Sequence, residues 1–120
     1  MKRPGSLPRR PKYHNQKTVL DGLTFDSKAE AQRWVELVRL QELGQIRDLR
    51  RQVVFQLIPS VRFFGAKRAT PALRYVADFA YVDVATGREV IEDKKGVITA
   101  AYRIKRHLMK HLFGIDIVET

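Results

Sequence analysis

A chain of 120 residues with 44% hydrophobic side chains can build one domain around a single core. No apolar run approaches the roughly 18–20 residues that a membrane-spanning helix needs, and the N-terminus lacks the apolar segment of a secretory signal. The absence of cysteine excludes disulfides and thiolate metal sites and fits a reducing cytoplasm, while a formal net charge of +10 predicts a polyanionic partner.

The first predicted feature is a basic N-terminal arm. Residues 1–12, MKRPGSLPRRPK, combine three prolines with basic side chains. Such a composition predicts a flexible segment that nucleic acid could order, followed by one domain over residues 13–120. The alternative is a tail that serves only solubility. Three side chains at the junction are candidates to contact a nucleic-acid backbone: Tyr13, His14 and Lys17.

A hairpin and a helix follow the arm. In TVLDGLTF (18–25), the dipeptide Asp21-Gly22 is typical of a two-residue turn between apolar flanks. Ser27 and, three residues later, Glu30 have the form of a capping box, and apolar side chains then recur at helical spacing. The pattern predicts a helix over residues 27–43.

The rest of the chain predicts a sheet with a second helix. The elements, in chain order, are an extended segment over 46–64 interrupted at Pro59, a basic loop over 65–70, antiparallel strands over 73–84 and 88–95, a helix over 99–113 and a last strand over 115–119. The order is therefore hairpin, helix, three strands, helix and strand. We expect an α/β (α+β) fold, a mixed sheet with helices packed against it.

Two acids lie where a charge needs a partner or a function. The strand face that carries Asp78 also carries Val76, Ala80 and Val82. Burying a lone charge costs several kcal/mol, so Asp78 is either paired, for example with Arg74, or functional. Glu30 borders the apolar stripe of the first helix, and its alternative role is that of a capping partner for Ser27.

The segment VIEDKKG (90–96) supplies an acid and a lysine that share a face, because residues two apart in a strand point the same way. The couple is either Glu92 with Lys94 or Asp93 with Lys95. Two carboxylates, one of them from the neighbouring strand, could hold Mg²⁺ through oxygen ligands. The lysine could then orient a metal-activated water or stabilise the transition state of phosphodiester hydrolysis.

The register of the two strands decides between these couples. A three-residue loop before Arg88 would place Glu92 on the face of Asp78, and Gly87 suits the left-handed position of such a loop. A four-residue loop would instead set Asp78 opposite Asp93, and a bulge could reconcile the two. Turn chemistry slightly favours the first alternative.

Four segments carry a resemblance to a known family: FDSKAEAQRW, LRRQVVFQLIP, YVADFAYVD and EDKKG. Their order, an acid on a first helix, an acid on a strand and acid-x-lysine on the next strand, resembles the PD-(D/E)XK nuclease superfamily. The core of that superfamily is a restriction-endonuclease-like mixed sheet flanked by helices in the order αβββαβ. More closely, the segments resemble a family of small, mostly phage-encoded proteins of unknown function that is likened to Holliday junction resolvases.

The resemblance, which runs from about residue 12, implies particular site residues. By position, the catalytic set is Glu30, Asp78, Asp93 and Lys95, with the three acids as the metal ligands. The family pattern favours the four-residue loop, and we therefore predict Asp93 and Lys95 rather than Glu92 and Lys94. The sequence departs from the superfamily at Ala77, where the proline stands, and at Lys94, where an apolar residue is usual.

The resemblance implies a Mg²⁺-dependent DNA endonuclease, with Mn²⁺ as a substitute metal, that cuts branched or junction DNA. It further implies a homodimer in the host cytoplasm without an organic cofactor. The predicted nucleic-acid contacts are Lys17, Lys67, Arg68, Arg103, Lys105 and Arg106. His107 and His111 are expected to be surface residues, since no third metal ligand is evident. The rival interpretation is a non-catalytic basic nucleic-acid-binding protein whose acids form structural ion pairs.

Overall fold

The computed structural model describes residues 17–120. In chain order its elements are β1 (Thr18–Leu20), β2 (Leu23–Phe25), α1 (Lys28–Glu42), β3 (Ile46–Ile58), β4 (Leu73–Asp83), β5 (Glu89–Asp93), α2 (Ala100–Phe113) and β6 (Val118–Glu119). This confirms the predicted order of hairpin, helix, three strands, helix and strand. The predicted arm over residues 1–12, together with Tyr13 and His14, lies outside the described residues.

The β1–β2 hairpin closes through a turn with left-handed backbone. Leu20 pairs with Leu23, so the loop has only the two residues between them. Asp21 and Gly22 both have positive φ, at 50° and 77°. Consecutive left-handed residues match the right-handed twist of the flanking strands, which is why Asp-Gly suits this position.

The main sheet has four strands in the order β3-β4-β5-β6. β3, β4 and β5 pair antiparallel, whereas β6 pairs parallel to β5. A parallel pair needs a crossover connection, and α2 supplies it. Over residues 17–120 the fold is thus a mixed α+β arrangement of two helices, a four-stranded mixed sheet and a separate two-stranded antiparallel sheet.

Each helix covers its own hydrophobic cluster. The cluster under α1 contains Leu37, Ile46, Phe79 and Tyr81. The cluster under α2 contains Leu57, Tyr75, Ala77, Ala80, Ile91, Tyr102 and Met109. The central strands β4 and β5 contribute to both, which places them between the two helices.

β4 changes the face that it presents to α2 at Asp78. Ala77 and Ala80 both belong to the α2 cluster, although strict alternation would put them on opposite faces. The β3 register sets Gln52 opposite Asp78, and Gln52 has a left-handed φ of 52°. The apolar face predicted around Asp78 is therefore only partly buried, since Ala80 is buried but Val76 is 43% exposed.

All four strands of the main sheet are shorter than the predicted segments, which covered 46–64, 73–84, 88–95 and 115–119. β3 ends at Ile58, at the predicted interruption directly before Pro59, which has no backbone N–H to donate to a ladder. The last strand covers only Val118–Glu119 instead of residues 115–119. Within residues 17–120, neither helix has the length and apolar character required to traverse a lipid bilayer.

Candidate active site

One cleft of about 670 Å³ gathers the four residues that the sequence predicts as catalytic. Its lining includes Glu30 from the first turn of α1, Asp78 from β4, Asp93 from the end of β5 and Lys95 two residues further on. Residues distant in the sequence thus meet at one opening between the sheet and the first turns of both helices.

The register of β4 and β5 selects the acid–lysine couple. The Asp83 N–H donates to the Arg88 C=O at 2.9 Å, so the connecting loop has four residues. The same register sets Asp78 opposite Asp93, and residues opposite each other share a side of the sheet. The four-residue alternative is confirmed, and Glu92 lies on the other face.

Asp78 and Asp93 are in direct contact. Asp93 Oδ1 accepts the Asp78 backbone N–H at 3.3 Å, and Asp78 Oδ2 accepts the Lys94 N–H at 2.8 Å. These are its partners, rather than the ion pair with Arg74. Burial, followed by the hydrogen bond and the negative charge of Asp93, raises the pKa of Asp78 to about 8. At neutral pH the carboxyl pair therefore retains a proton, which offsets the repulsion between the two acids.

Asp93 is fixed by the predicted Lys95 and by Tyr75, which the sequence did not suggest. It is 2% exposed, and its Oδ2 accepts the Tyr75 O–H at 2.6 Å. The same oxygen lies 2.8 Å from Lys95 Nζ. Burial and the contact with Asp93 raise the pKa of Tyr75, so its phenol remains a hydrogen-bond donor. The orientation of Asp93 is thus set by three donors, the Tyr75 O–H, the Lys95 ammonium and the Asp78 N–H.

Lys95 is held from three sides. Besides the contact with Asp93, its Nζ lies 3.8 Å from the centroid of the Tyr102 ring, within the range of a cation–π interaction. Its backbone N–H donates to the Thr120 C=O at 3.0 Å, which ties this segment to the chain after β6. An otherwise flexible lysine is therefore pre-positioned beside the acids.

Glu30 lies in the same cleft, but its carboxyl group is hydrogen-bonded to a different residue. It is 3% exposed, and its Oε1 accepts the Gln52 side-chain N–H at 3.2 Å. Burial and the nearby charge of Asp26 raise its pKa. The Ser27 hydroxyl does accept the Glu30 N–H at 3.1 Å, so the predicted cap exists through the backbone. The carboxyl group faces the cleft residues and not the solvent, unlike that of a surface cap.

The carboxylate oxygens of the cleft meet some of the requirements of a site for a hard divalent cation. Carboxylate oxygens are the protein ligands that Mg²⁺ prefers, and one or two carboxylates normally suffice because water and substrate phosphates complete the shell. Asp78 and Asp93 supply such a pair. Over residues 17–120, no three His, Cys, Asp or Glu side chains are spaced as a preassembled metal group. Glu30 is hydrogen-bonded to Gln52 instead.

Glu92, the rejected alternative, has a structural role. Its side chain is fully buried and binds the Arg33 guanidinium of α1 through both oxygens, at 2.7 and 2.9 Å. The Tyr81 O–H donates a further hydrogen bond at 2.8 Å. This network joins β5 to α1 on the face opposite the cleft.

The basic side chains that were predicted to contact nucleic acid differ in their surroundings. Lys105 lines the cleft, whereas Arg106 is engaged with Glu119 at 2.9 Å. The others are exposed: Lys17, Lys67, Arg68 and Arg103. His107 and His111 are exposed on α2, as predicted.

Sequence reasoning missed three residues that support the site, namely Tyr75, Gln52 and Tyr102. Tyr75 is three positions from Asp78, so strict strand alternation would place it on the other face. Its contact with Asp93 follows the change of face at Asp78. Tyr102 carried a weak signal: it lies on the first turn of α2, shortly after Lys95 in the chain.

Comparison with known proteins identifies a family without assigning an activity. Searches of curated proteins and of solved structures each gave no significant match to the chain. A family model described as a protein of unknown function, DUF1064, matches residues 10–116. Because the match covers most of the 120 residues, this chain belongs to the DUF1064 family.

Proposed function

We propose that the protein is a Mg²⁺-dependent endonuclease that hydrolyses phosphodiester bonds in DNA. The observation that carries the proposal is the contact between Asp78 and Asp93, in which Asp93 Oδ1 accepts the Asp78 N–H at 3.3 Å, with Lys95 bound to Asp93 in the same cleft. Adjoining carboxylates repel both one another and a phosphate, whereas a divalent cation between them relieves both effects.

The chain's own residues divide the remaining tasks. Asp78 and Asp93 would hold the cation, and Glu30, which lines the same cleft, would bind a water of its shell from the α1 side. The cation, when bound, lowers the pKa of a coordinated water and neutralises charge on the scissile phosphate. Lys95 orients the attacking water or stabilises negative charge on the phosphate oxygens. The attacking water releases a proton to solvent and its oxygen bonds to phosphorus, the phosphorus–oxygen bond to the leaving group breaks, and the leaving oxygen takes up a proton from solvent.

The element order also supports this proposal. The succession α1, β3, β4, β5, α2, β6 matches the αβββαβ order of the PD-(D/E)XK nucleases that the sequence resembles. Asp78 lies on the second of these strands, Asp93 ends the third and Lys95 follows two residues later, in agreement with the order that the resemblance implies.

The choice of substrate rests on the resemblance and on charge. The net charge of +10 and exposed residues such as Lys67 and Arg103 suit a polyanion. Branched DNA, and a homodimer that makes paired cuts in it, follow from the likeness to Holliday junction resolvases. One chain supplies one Asp78–Asp93 pair, so two symmetric cuts require two protomers.

The test compares labelled duplex, single-stranded and four-way-junction DNA, with Mg²⁺ or with EDTA. Asp78→Asn mimics the protonated carboxyl group and should fold, yet cleavage should fall by more than about 100-fold. Asp48→Asn is the matched control, because Asp48 is an exposed acid that pairs with Arg47. Cleavage that persists in EDTA, or that survives Asp78→Asn, would exclude this site.

A specific observation favours the rival function, a non-catalytic nucleic-acid-binding protein. Asp93 already has internal partners, Tyr75 and Lys95, as a structural acid would. On that interpretation Mg²⁺ and EDTA should not change any property of the protein, and Asp78→Asn should bind and behave as the parent does. The cleavage assay above separates the two functions.

A further inference from the structure

The loop between β3 and β4 (residues 59–72, here the aromatic loop) presents two adjacent phenylalanines to solvent. Phe63 is 66% exposed and Phe64 is exposed to 109% of its reference area. Single exposed apolar residues are common, but two large rings side by side at a loop tip are typical of an interaction site. The paired rings therefore indicate a binding surface.

The aromatic loop is built to hold these rings outward. Val61 and Thr70 exchange backbone hydrogen bonds of 3.2 and 2.6 Å across its base. At the tip, the Ala66 N–H donates to the Phe63 C=O at 3.0 Å, and Gly65 has a left-handed φ of 78°. That conformation suits the third position of a tight turn and leaves Phe64 at its outermost point.

A side chain of the loop reinforces this turn. The Arg62 guanidinium donates to the Ala66 and Lys67 carbonyls at 3.0 and 3.3 Å. Rings presented by a loop that is already ordered lose little conformational entropy on binding.

The charge of the aromatic loop indicates what covers the rings. Its sequence, PSVRFFGAKRATPA, contains three basic residues and no acid. Lys67 and Arg68, three and four residues after Phe64 in the chain, are exposed. Basic side chains bind phosphates while aromatic rings stack on bases, and this combination is characteristic of proteins that bind unpaired nucleic acid. Bases inside a duplex are stacked on each other and offer no free face.

The aromatic loop leads into the strand that carries one of the cleft acids, a short distance along β4. β4 begins at Leu73, where the loop ends, and reaches Asp78 five residues later. At about 3.4 Å per residue, the base of the loop lies roughly 17 Å from the acid pair along the strand. One nucleic-acid molecule could therefore contact both.

We propose that the aromatic loop stacks Phe64, assisted by Phe63, on unpaired bases and thereby selects single-stranded segments over continuous duplex. The inference rests on the proposed function in that the ligand is a nucleic acid, but it requires no cleavage. The base–ring contact is common to DNA and RNA, so the test includes both.

The experiment measures fluorescence anisotropy in EDTA with three labelled probes: a 30-nucleotide oligothymidylate, the corresponding oligouridylate, and a 30-base-pair duplex. Phe64→Ala should weaken binding of the single-stranded probes by about 5- to 100-fold, which is the usual effect of losing one stacked base. Binding of the duplex should change less than about twofold. Phe64→Trp should retain the preference, because its ring also stacks. Leu43→Ala, a change at another exposed apolar residue, is the control.

Each result has a defined meaning. A selective loss with Phe64→Ala supports the inference even if the parent protein never cuts DNA, in which case only the proposed function fails. An equal loss on all probes, no loss at all, or no binding by the parent protein would overturn it. So would sedimentation data in which Phe64→Ala converts a dimer to a monomer without changing probe preference, since the loop would then contact a second copy of the chain.

Discussion

Glu92 and Arg33 form a two-pronged ion pair between β5 and α1, with nitrogen–oxygen distances of 2.7 and 2.9 Å. The Glu92 side chain is fully buried, and 23% of the Arg33 side chain is exposed. The Glu92 carboxylate raises the pKa of Arg33, so the guanidinium stays charged at neutral pH. Neighbouring residues thus have separate roles, since Glu92 secures the helix while Asp93 faces the cleft.

The first prediction concerns stability. Arg33→Met should lower the free energy of unfolding by about 3–5 kcal/mol, because it leaves the buried Glu92 charge without a cationic partner, with only the Tyr81 O–H still hydrogen-bonded to it. Urea denaturation of the metal-free protein at pH 7 measures the change. The control is Arg39→Met, at an exposed position of the same helix, for which we expect about 0.5 kcal/mol or less.

A further variant separates the ion pair from side-chain packing. The double variant Arg33→Met/Glu92→Leu should recover much of the lost stability, because no unpaired charge remains. If Arg33→Met costs no more than Arg39→Met, the pair does not hold α1 to the sheet.

Local signals explain why the order of the elements could be predicted. The Asp21-Gly22 turn, the Ser27 cap and the Gly114 stop each depend on a few adjacent residues. Gly114, for example, ends α2 with a left-handed φ of 68°, a conformation that glycine adopts at little cost. Such features can be predicted from the sequence because each depends only on interactions between neighbouring residues.

The site depends on information that is not local. Whether Asp78 faces Asp93 or Glu92 depends on one residue of loop length, and turn chemistry alone slightly favoured the wrong loop. The contact of Tyr75 with Asp93 requires a change of strand face next to Gln52, whose left-handed backbone no propensity predicts. The candidate acids were found through motif order, whereas their supporting residues required the packed sheet.

The second prediction concerns pH. The pKa of Asp78 is raised to about 8 in the folded protein, mainly by burial and by Asp93. A raised pKa stabilises the fold below the unfolded value near 4, and this contribution is lost as pH rises through about 8. The unfolding free energy of the metal-free protein should therefore fall between pH 5 and about pH 9. Denaturant titrations in EDTA at several pH values measure this.

Asp78→Asn is the matched variant for this pH dependence of the unfolding free energy. It keeps the shape of the neutral carboxyl group but cannot ionise, so its stability should depend less on pH over the same interval. Equal pH dependence in the variant and the parent would mean that Asp78 does not titrate as described.

The third prediction concerns the metal. Mg²⁺ should raise the thermal midpoint at pH 8, because a ligand bound only by the folded state adds about 2.7 kcal/mol at 100 times its dissociation constant. The effect should be smaller at pH 5.5, where protons compete for the carboxyl pair. Differential scanning fluorimetry with Mg²⁺, Mn²⁺ and EDTA measures it. The Asp78→Asn variant should lose the response, whereas Asp48→Asn should keep it; a similar shift in both would place the cation elsewhere.

The last prediction concerns Lys95 and Tyr102. Lys95→Ala should lower kcat by about 100- to 1000-fold, the usual effect of removing one transition-state donor, with DNA retention in Ca²⁺ nearly unchanged. The matched control is Lys110→Ala, because Lys110 pairs with Asp116 on the exposed side of α2. Tyr102 acts through Lys95, whose ammonium lies on its ring, and is therefore a positioning residue.

Tyr102→Leu should lower kcat by roughly 2- to 30-fold, which corresponds to a cation–π contact of about 0.5–2 kcal/mol, while KM changes less than about twofold. Tyr102→Phe retains the ring face and should restore the rate. In the Lys95→Ala background, Tyr102→Leu should have no further effect, since the ring then has no cation to position. Additive losses in the double variant would show that Tyr102 contributes by some route other than Lys95.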